Sequence, residues 1–223
     1  MTAYFKPALF DFMIELAANN ERAWFMDNKA RYERDVRDPM LAFITDLAPL
    51  LKKIAPKLVA DPRPNGSSIF RIHRDTRFSK DKTPYKTNLA AHFSYDRAQS
   101  NIHGPGLYIQ LANAGNFGGG GMWRPEPDAL LQLRQSIVHQ PARWKALAKG
   151  GIAVHGERLK RPPKGFDPAH PEIESLKLKD FLASEDYAEA DVCADGFLDR
   201  YAAMCAKIAP LLAWQAKSLG MAW

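Results

Sequence analysis

The sequence predicts a single α+β domain with N- and C-terminal helical layers around a mainly antiparallel central sheet. Three observations carry this. Apolar residues recur at helical spacing at both ends of the chain. Short extended runs occupy the middle, and one of them alternates strictly. The 223 residues, 46% apolar and 25% charged, suffice for one sizeable core.

The first element is a helix opening at Pro7, where a missing amide does no harm. Leu9, Phe12, Met13 and Leu16 share one face, and Asn19–Asn20 end it. A longer pattern follows through Tyr32, Val36, Met40, Phe43, Ile44, Leu47, Leu51, Ile54 and Leu58. Asp38–Pro39 reads as an N-cap and first helical position, so a break or kink is expected there. Pro49 and Pro56 add further distortion. DPRPNGSS, from Asp61, is a loop.

Extended runs are expected at Ser68–Arg71, Thr87–Phe93 and Leu107–Asn113. In the last, Leu107, Ile109 and Leu111 alternate with Tyr108 and Gln110, the clearest period-two signal in the chain. The four consecutive glycines Gly118 to Gly121 predict a bend or a close backbone approach, with short strands before and after them. Pro127 opens a helix carrying Leu130, Leu133 and Ile137, and Arg143–Lys149 forms a short one ended by Gly150–Gly151. Residues 152–180 read as mostly irregular. A last helix carries Leu198, Tyr201, Cys205, Ile208, Leu211, Leu212, Gln215 and Leu219, bent near Pro210. No repeat of solenoid spacing occurs.

The formal net charge of +6 permits attraction to phosphates or polyanions without demanding it. Cys193 and Cys205 stand outside any metal-ligand spacing and read as small core or half-exposed thiols. The N-terminal stretch lacks the continuous apolar run of a signal peptide, and no window has the length of a membrane span. A soluble cytoplasmic protein with no membrane partner is expected.

The most unusual stretch is FRIHRDTRFSKDKTPYKTN, Phe70 to Asn88. It concentrates Arg71, Arg74, Arg77, Lys80, Lys82 and Lys86 against only Asp75 and Asp81. If Phe70–His73 is extended, Phe70 and Ile72 face the core while Arg71 and His73 face solvent or a cleft. Thr76, Ser79 and Thr83 add hydroxyl groups that can join such cations around a phosphate or carboxylate. A solvated face with structural ion pairs fits the same residues. The glycine run precedes Met122–Trp123–Arg124 and matches neither the P-loop nor the dinucleotide fingerprint. Phe70, Phe78, Tyr85, Tyr95 and Tyr108 interleave with the cations and permit base stacking, yet no known nucleic-acid-binding signature is present. The six histidines include no H-E-x-x-H pair, and no metal site is expected. No G-x-S-x-G serine or paired catalytic acid is legible. The reaction, if any, and the cofactor stay unassigned. Trp123 supplies a pocket wall, and Lys160–Arg161, in a Pro-rich loop, a second basic patch.

Several phrases taken together resemble a family of conserved uncharacterised bacterial and fungal proteins, domain of unknown function 2461. They are NNERAWFMDNKARYE, FRIHRDTRFSKDKTPYKTN, GPGLYIQL, GMWRPEP, LKRPPKGFDPAHP and LKLKDF, in order from Phe10 to about Leu212. The resemblance implies one domain over most of the chain and no known reaction, substrate or cofactor. Its signature positions here include Arg71, Arg74, Arg77, Lys80, Lys82, Lys86, Trp123, Arg124, Lys160 and Arg161. The family phrase more often has tyrosine where this chain has His73.

The leading expectation is a cleft that holds a small anionic or phosphorylated ligand, with those residues as its binding set. The main alternative is a nucleic-acid-associated protein using the same basic face. The other is a structural or interaction domain whose cations are paired internally. Oligomeric state stays open.

Overall fold

The structure is a computed structural model describing residues 3–64, 68–95 and 103–223. Residues 65–67 of the expected loop therefore lie outside the described residues. The first helix, α1 (Pro7–Ala18), buries Leu9, Phe12, Met13 and Leu16 as its periodicity predicts. Two short helices follow, α2 (Arg22–Asp27) and α3 (Lys29–Tyr32). A π-helical turn, Glu33–Arg37, leads from α3 into α4 (Asp38–Ile54).

That turn corrects the expected break. Asp38 has helical angles, φ −66° and ψ −38°, so it is no cap, and the helical path continues through Pro39. Proline has no amide to donate and its ring crowds the preceding turn. A widened turn just before it accommodates both defects. Pro49 also lies inside α4, which runs to Ile54.

Among the described residues the sheet has four strands in the order β1-β2-β3-β4, all antiparallel. They are β1 (Leu89–Phe93), β2 (Gly106–Leu111), β3 (Asn116–Met122) and β4 (Phe181–Tyr187). The glycine run is therefore an interior strand: of the two expectations, the bend is replaced by a close backbone approach. Each face of the sheet explains part of this. A Cβ on Gly118 would stand 2.7 Å from Met204 Cε and 2.8 Å from the Tyr201 ring. Bare backbone there lets the long helix α9 (Phe197–Ser218) lie close against the sheet. On the opposite face, a Cβ on Gly119 would stand 2.7 Å from the Ala183 carbonyl oxygen. Gly121, at φ 129°, adopts a conformation that side chains disfavour.

Two short helices, α7 (Ile173–Leu176) and α8 (Glu189–Val192), flank β4 in sequence, and three longer ones pack against α9. Phe43 of α4 meets Phe197 and Tyr201 near its N-terminus. At its C-terminal half, Ser218 bonds Ser136 of α5 (Pro127–His139), and Trp214 meets Trp144 of α6 (Pro141–Lys149). Arg134 of α5 is buried and donates to the Leu176 and Leu178 carbonyls, a structural role for a cation. Gln215 Nε2 donates to the Phe181 carbonyl and pins α9 to β4. The buried apolar residues form one cluster spanning the helices and one sheet face. No helix among the described residues is long and apolar enough to cross a membrane.

Candidate functional site

With the helices on one face, the other face of the sheet carries a cleft of about 880 Å³. That volume suits a small-molecule site. Strand register sets its floor. His92, Tyr108, Gly119 and Ser184 form one row across the four strands. Gly106, Gly121 and Leu182 form a second, and Ala90, Gln110, Phe117 and Asp186 a third. Phe70 and Lys86 wall the β1 side, while Trp123 and His155 contribute elsewhere around the opening.

The β1 wall is an excursion of the chain between residues 72 and 86, held tightly at its base. Arg74 N donates to the Pro84 carbonyl, and Lys86 N to the Ile72 carbonyl, each at 2.8 Å. The Asn20 side chain brackets Tyr85, accepting from its amide and donating to its carbonyl, both at 3.0 Å. The Tyr85 ring stacks on Phe25 at 4.2 Å. These contacts fix Lys86, whose ammonium lies 5.2 Å from the Phe70 ring centroid. Burial and then the neighbouring Arg71 charge push the Lys86 pKa below its ordinary value. No carboxylate pairs with Lys86 among the described residues.

The other cations of the segment divide into two groups. Arg74 borders the cleft but pairs with Asp81 at 2.5 Å and also donates to the Thr83 hydroxyl. Arg77 pairs with Asp75 at 2.7 Å. The Thr83 amide, then Arg74 and the Thr83 hydroxyl, hold the Asp81 carboxyl down at about 2, and Arg77 does the same for Asp75. Lys82 donates to the Thr76 carbonyl. Structural pairing thus accounts for Arg74, Arg77 and Lys82. Arg71, Lys80, Lys160 and Arg161 are exposed and lie outside the cleft lining. Arg124 is also outside it, stacked over Trp123 at 4.8 Å. Of the ten expected binding residues, the cleft is lined by Arg74, Lys86 and Trp123.

Trp123 is positioned from both sides. His103 stacks on its ring and, when protonated at Nδ1, donates to the Trp123 carbonyl at 3.1 Å. The next residue, Arg124, has φ 48°. Its amide donates at 2.7 Å to buried Asp180, whose other oxygen accepts from the Glu157 amide at 3.2 Å. One carboxylate thereby holds both the Trp123 turn and the strip carrying His155. That strip extends the sheet beyond β4 through the pairing of His155 with Leu182. His155 Nε2 lies 2.9 Å from the Ser184 hydroxyl, but no carboxylate bonds His155 among the described residues. Without an orienting acid, the pair falls short of an activated nucleophile.

Sequence reasoning missed most of the floor. Phe70 was expected in the core with Ile72, yet Ile69 and Ile72 are buried and Phe70 lines the cleft. His92 is 8% exposed and borders the cleft, and its Nδ1 has no hydrogen-bond partner among the described residues. Burial lowers its pKa to about 4, so it is neutral at pH 7. Burial likewise raises the Tyr108 phenol to about 12. Tyr108 and Gln110 had a legible signal in the polar phase of the alternating strand. Ser184 and Asp186 had only a weak one, in the alternation of FLASEDY. Among the described residues no three His, Cys, Asp or Glu side chains gather as a metal site.

Residues 8–214 match the family described as conserved hypothetical protein, DUF2461. The chain belongs to the DUF2461 family. The match takes in every strand and nearly all of α9, so the cleft and its walls lie within the DUF2461 region. Among curated proteins, none matches the chain in sequence.

Proposed function

We propose that this protein binds a small organic anion in the cleft on the open face of its sheet. One observation carries the reading: Lys86 is half-buried against Phe70, bears no carboxylate partner among the described residues, and lines an otherwise largely apolar cleft. A cation so placed has lost part of its hydration, and an anionic ligand would compensate for that loss. Arg74 contributes less, because Asp81 already neutralises it. The expected basic set thereby narrows to one lysine, with aromatic walls in place of further cations.

The test is a thermal-shift and calorimetric titration with phosphate, sulfate, citrate, sugar phosphates, nucleotides and aromatic acids, at low and moderate salt. A ligand that binds only the folded protein raises its melting temperature by mass action. A saturable shift with a small anion, lost in Lys86→Met, is expected. The absence of any shift across the panel, or a shift that survives in Lys86→Met, would overturn the proposal.

A second reading, single-stranded nucleic acid along the same face, is favoured by one observation. Phe70, Phe78 and Trp123 each have a cation over the ring: Lys86 at 5.2 Å, Arg77 at 5.8 Å and Arg124 at 4.8 Å. Such pairs suit stacked bases with flanking phosphates. This reading requires binding to oligonucleotides alone, falling steeply as salt rises.

A further inference from the structure

We infer that the ligand of this cleft carries a flat aromatic ring, lying on the glycine backbone at Gly119 and Gly121 beside the His92 ring, and a single anionic group directed to Lys86. The inference rests on the anion-binding reading above and specifies its ligand class.

The floor argues for a ring. Gly106 and Gly121 are direct partners in the ladder, and Gly119 follows two residues before Gly121 on the same face. No side chain rises from these positions. Their neighbours leave no room for one: a Cβ would stand 2.4 Å from His92 Nε2 at Gly106, where the His92 ring covers the backbone, 2.7 Å from the Ala183 carbonyl at Gly119 and 2.0 Å from the Phe181 carbonyl at Gly121. What remains is a patch of peptide planes whose amides and carbonyls are largely committed to the ladder. A polyhydroxylated ligand laid there would lose hydrogen bonds to water without replacing them. An aromatic ring carries no such penalty and gains contact over its whole face. The side chains around the patch match it: Phe70, Tyr108, Phe117 and Trp123 all line the cleft.

The charges argue for one anionic group at one end. Of the charged groups lining the cleft, Arg74 and Asp75 are already paired, with Asp81 and Arg77, which leaves Lys86 on the β1 side and Asp186 on β4, three strand spacings or about 14 Å across the sheet. A second anionic group reaching toward β4 would meet Asp186. A further polar contact comes from His92, on the β1 side of the floor, which is nine-tenths buried and whose Nδ1 has no hydrogen-bond partner among the described residues. A ring nitrogen or hydroxyl directed at it would supply one.

The test compares probes on the full chain. Indole-3-acetate and uridine 5′-monophosphate supply a ring with one anionic group, as an aryl carboxylate and as a mononucleotide. Citrate and glucose 6-phosphate supply anions without an aromatic ring. Calorimetry gives affinity, and saturation-transfer NMR shows which ligand protons touch the protein. At least one ring probe should bind tenfold or more tighter than both non-aromatic anions, with saturation strongest on its ring protons; which of the two wins separates the aryl carboxylate from the nucleotide. Lys86→Met and, independently, Ser184→Leu should each weaken it tenfold or more. Ser184 is exposed and adjacent to Gly119, so leucine there covers the floor without entering the core. If citrate or glucose 6-phosphate binds as tightly in a Lys86-dependent way, the ring inference fails while the anion reading stands. If no probe binds, both fail. If a ring probe binds equally well to Ser184→Leu, the floor is not its site and the inference is overturned.

Discussion

Removing the Asp180 carboxylate should loosen two walls of the cleft at once. Asp180 is 5% exposed and accepts from the Arg124 amide at 2.7 Å and the Glu157 amide at 3.2 Å. Arg124 holds φ 48°, the one positive φ outside glycine among the described residues, which costs an ordinary side-chain-bearing residue about 1–2 kcal/mol. A hydrogen bond to a charged acceptor contributes about 1.5–3 kcal/mol. In Asp180→Asn, one oxygen still accepts, but the new NH₂ faces the second amide donor to donor. The expected loss is about 2–3 kcal/mol. Asp180→Ala removes both acceptors and should cost about 3–5 kcal/mol. Urea unfolding followed by circular dichroism measures this; with a typical urea slope, the asparagine variant's midpoint should fall by about 1 M. Acrylamide quenching of tryptophan emission should rise with it, since Trp123 is held by the same turn. Midpoints within about 0.2 M of the parent for both variants would refute the reasoning, showing that water replaces the carboxylate at no cost.

Three further outcomes are expected. His92 has a folded-state pKa of about 4 against an ordinary 6.5, so the unfolded chain takes up a proton first as pH falls. Stability should drop by on the order of 3 kcal/mol between pH 6.5 and 4 from this residue, and urea melts of His92→Leu should lack that component; parallel profiles would contradict it. Gly118→Ala places a methyl group against Tyr201 and Met204 and should cost about 1–3 kcal/mol in the same assay, whereas no change would mean that α9 can retreat from the sheet. For Lys86, whose folded-state pKa is lowered, the burial penalty is complete below that pKa and relieved as pH rises toward the unfolded value of 10.5. Stability of the parent relative to Lys86→Met should therefore improve from pH 7 to pH 10. A variant less stable than the parent by more than about 1 kcal/mol at pH 7 would show that the lysine stabilises the fold by pairing.

Much of the helical framework was legible, because α1, α4 and α9 bury one face each at a 3.6-residue period. The alternation of Leu107, Ile109 and Leu111 likewise identified β2. The glycine strand β3 was not legible. Glycine has no side chain to signal a face, and the same run serves a loop or a strand squeezed from both sides. The π-turn escaped because sequence shows that Pro39 must perturb a helix, not whether the helix stops or widens. In the candidate site, charge density marked the segment that walls the cleft but not which of its cations lines that cleft without a carboxylate partner. Arg74 and Arg77 meet Asp81 and Asp75 within their own loop, and Lys86 differs only through contacts with Phe70, Tyr85 and Asn20 from distant parts of the chain. Phe70 faces the cleft and not the core because strict alternation fails there: Ile69 and Ile72, three apart, are both buried.

The most direct test of the central claim, that the glycine-floored cleft is the ligand site and Lys86 meets the anion, is an amide-shift titration of the ¹⁵N-labelled protein with indole-3-acetate. Saturable shifts should centre on Gly106, Tyr108, Gly119, Gly121 and the Trp123 indole N–H, and disappear in Lys86→Met. Shifts confined to Arg77–Lys82 or Lys160–Arg161, or unchanged by Lys86→Met, would contradict the account and return the basic loops to candidacy.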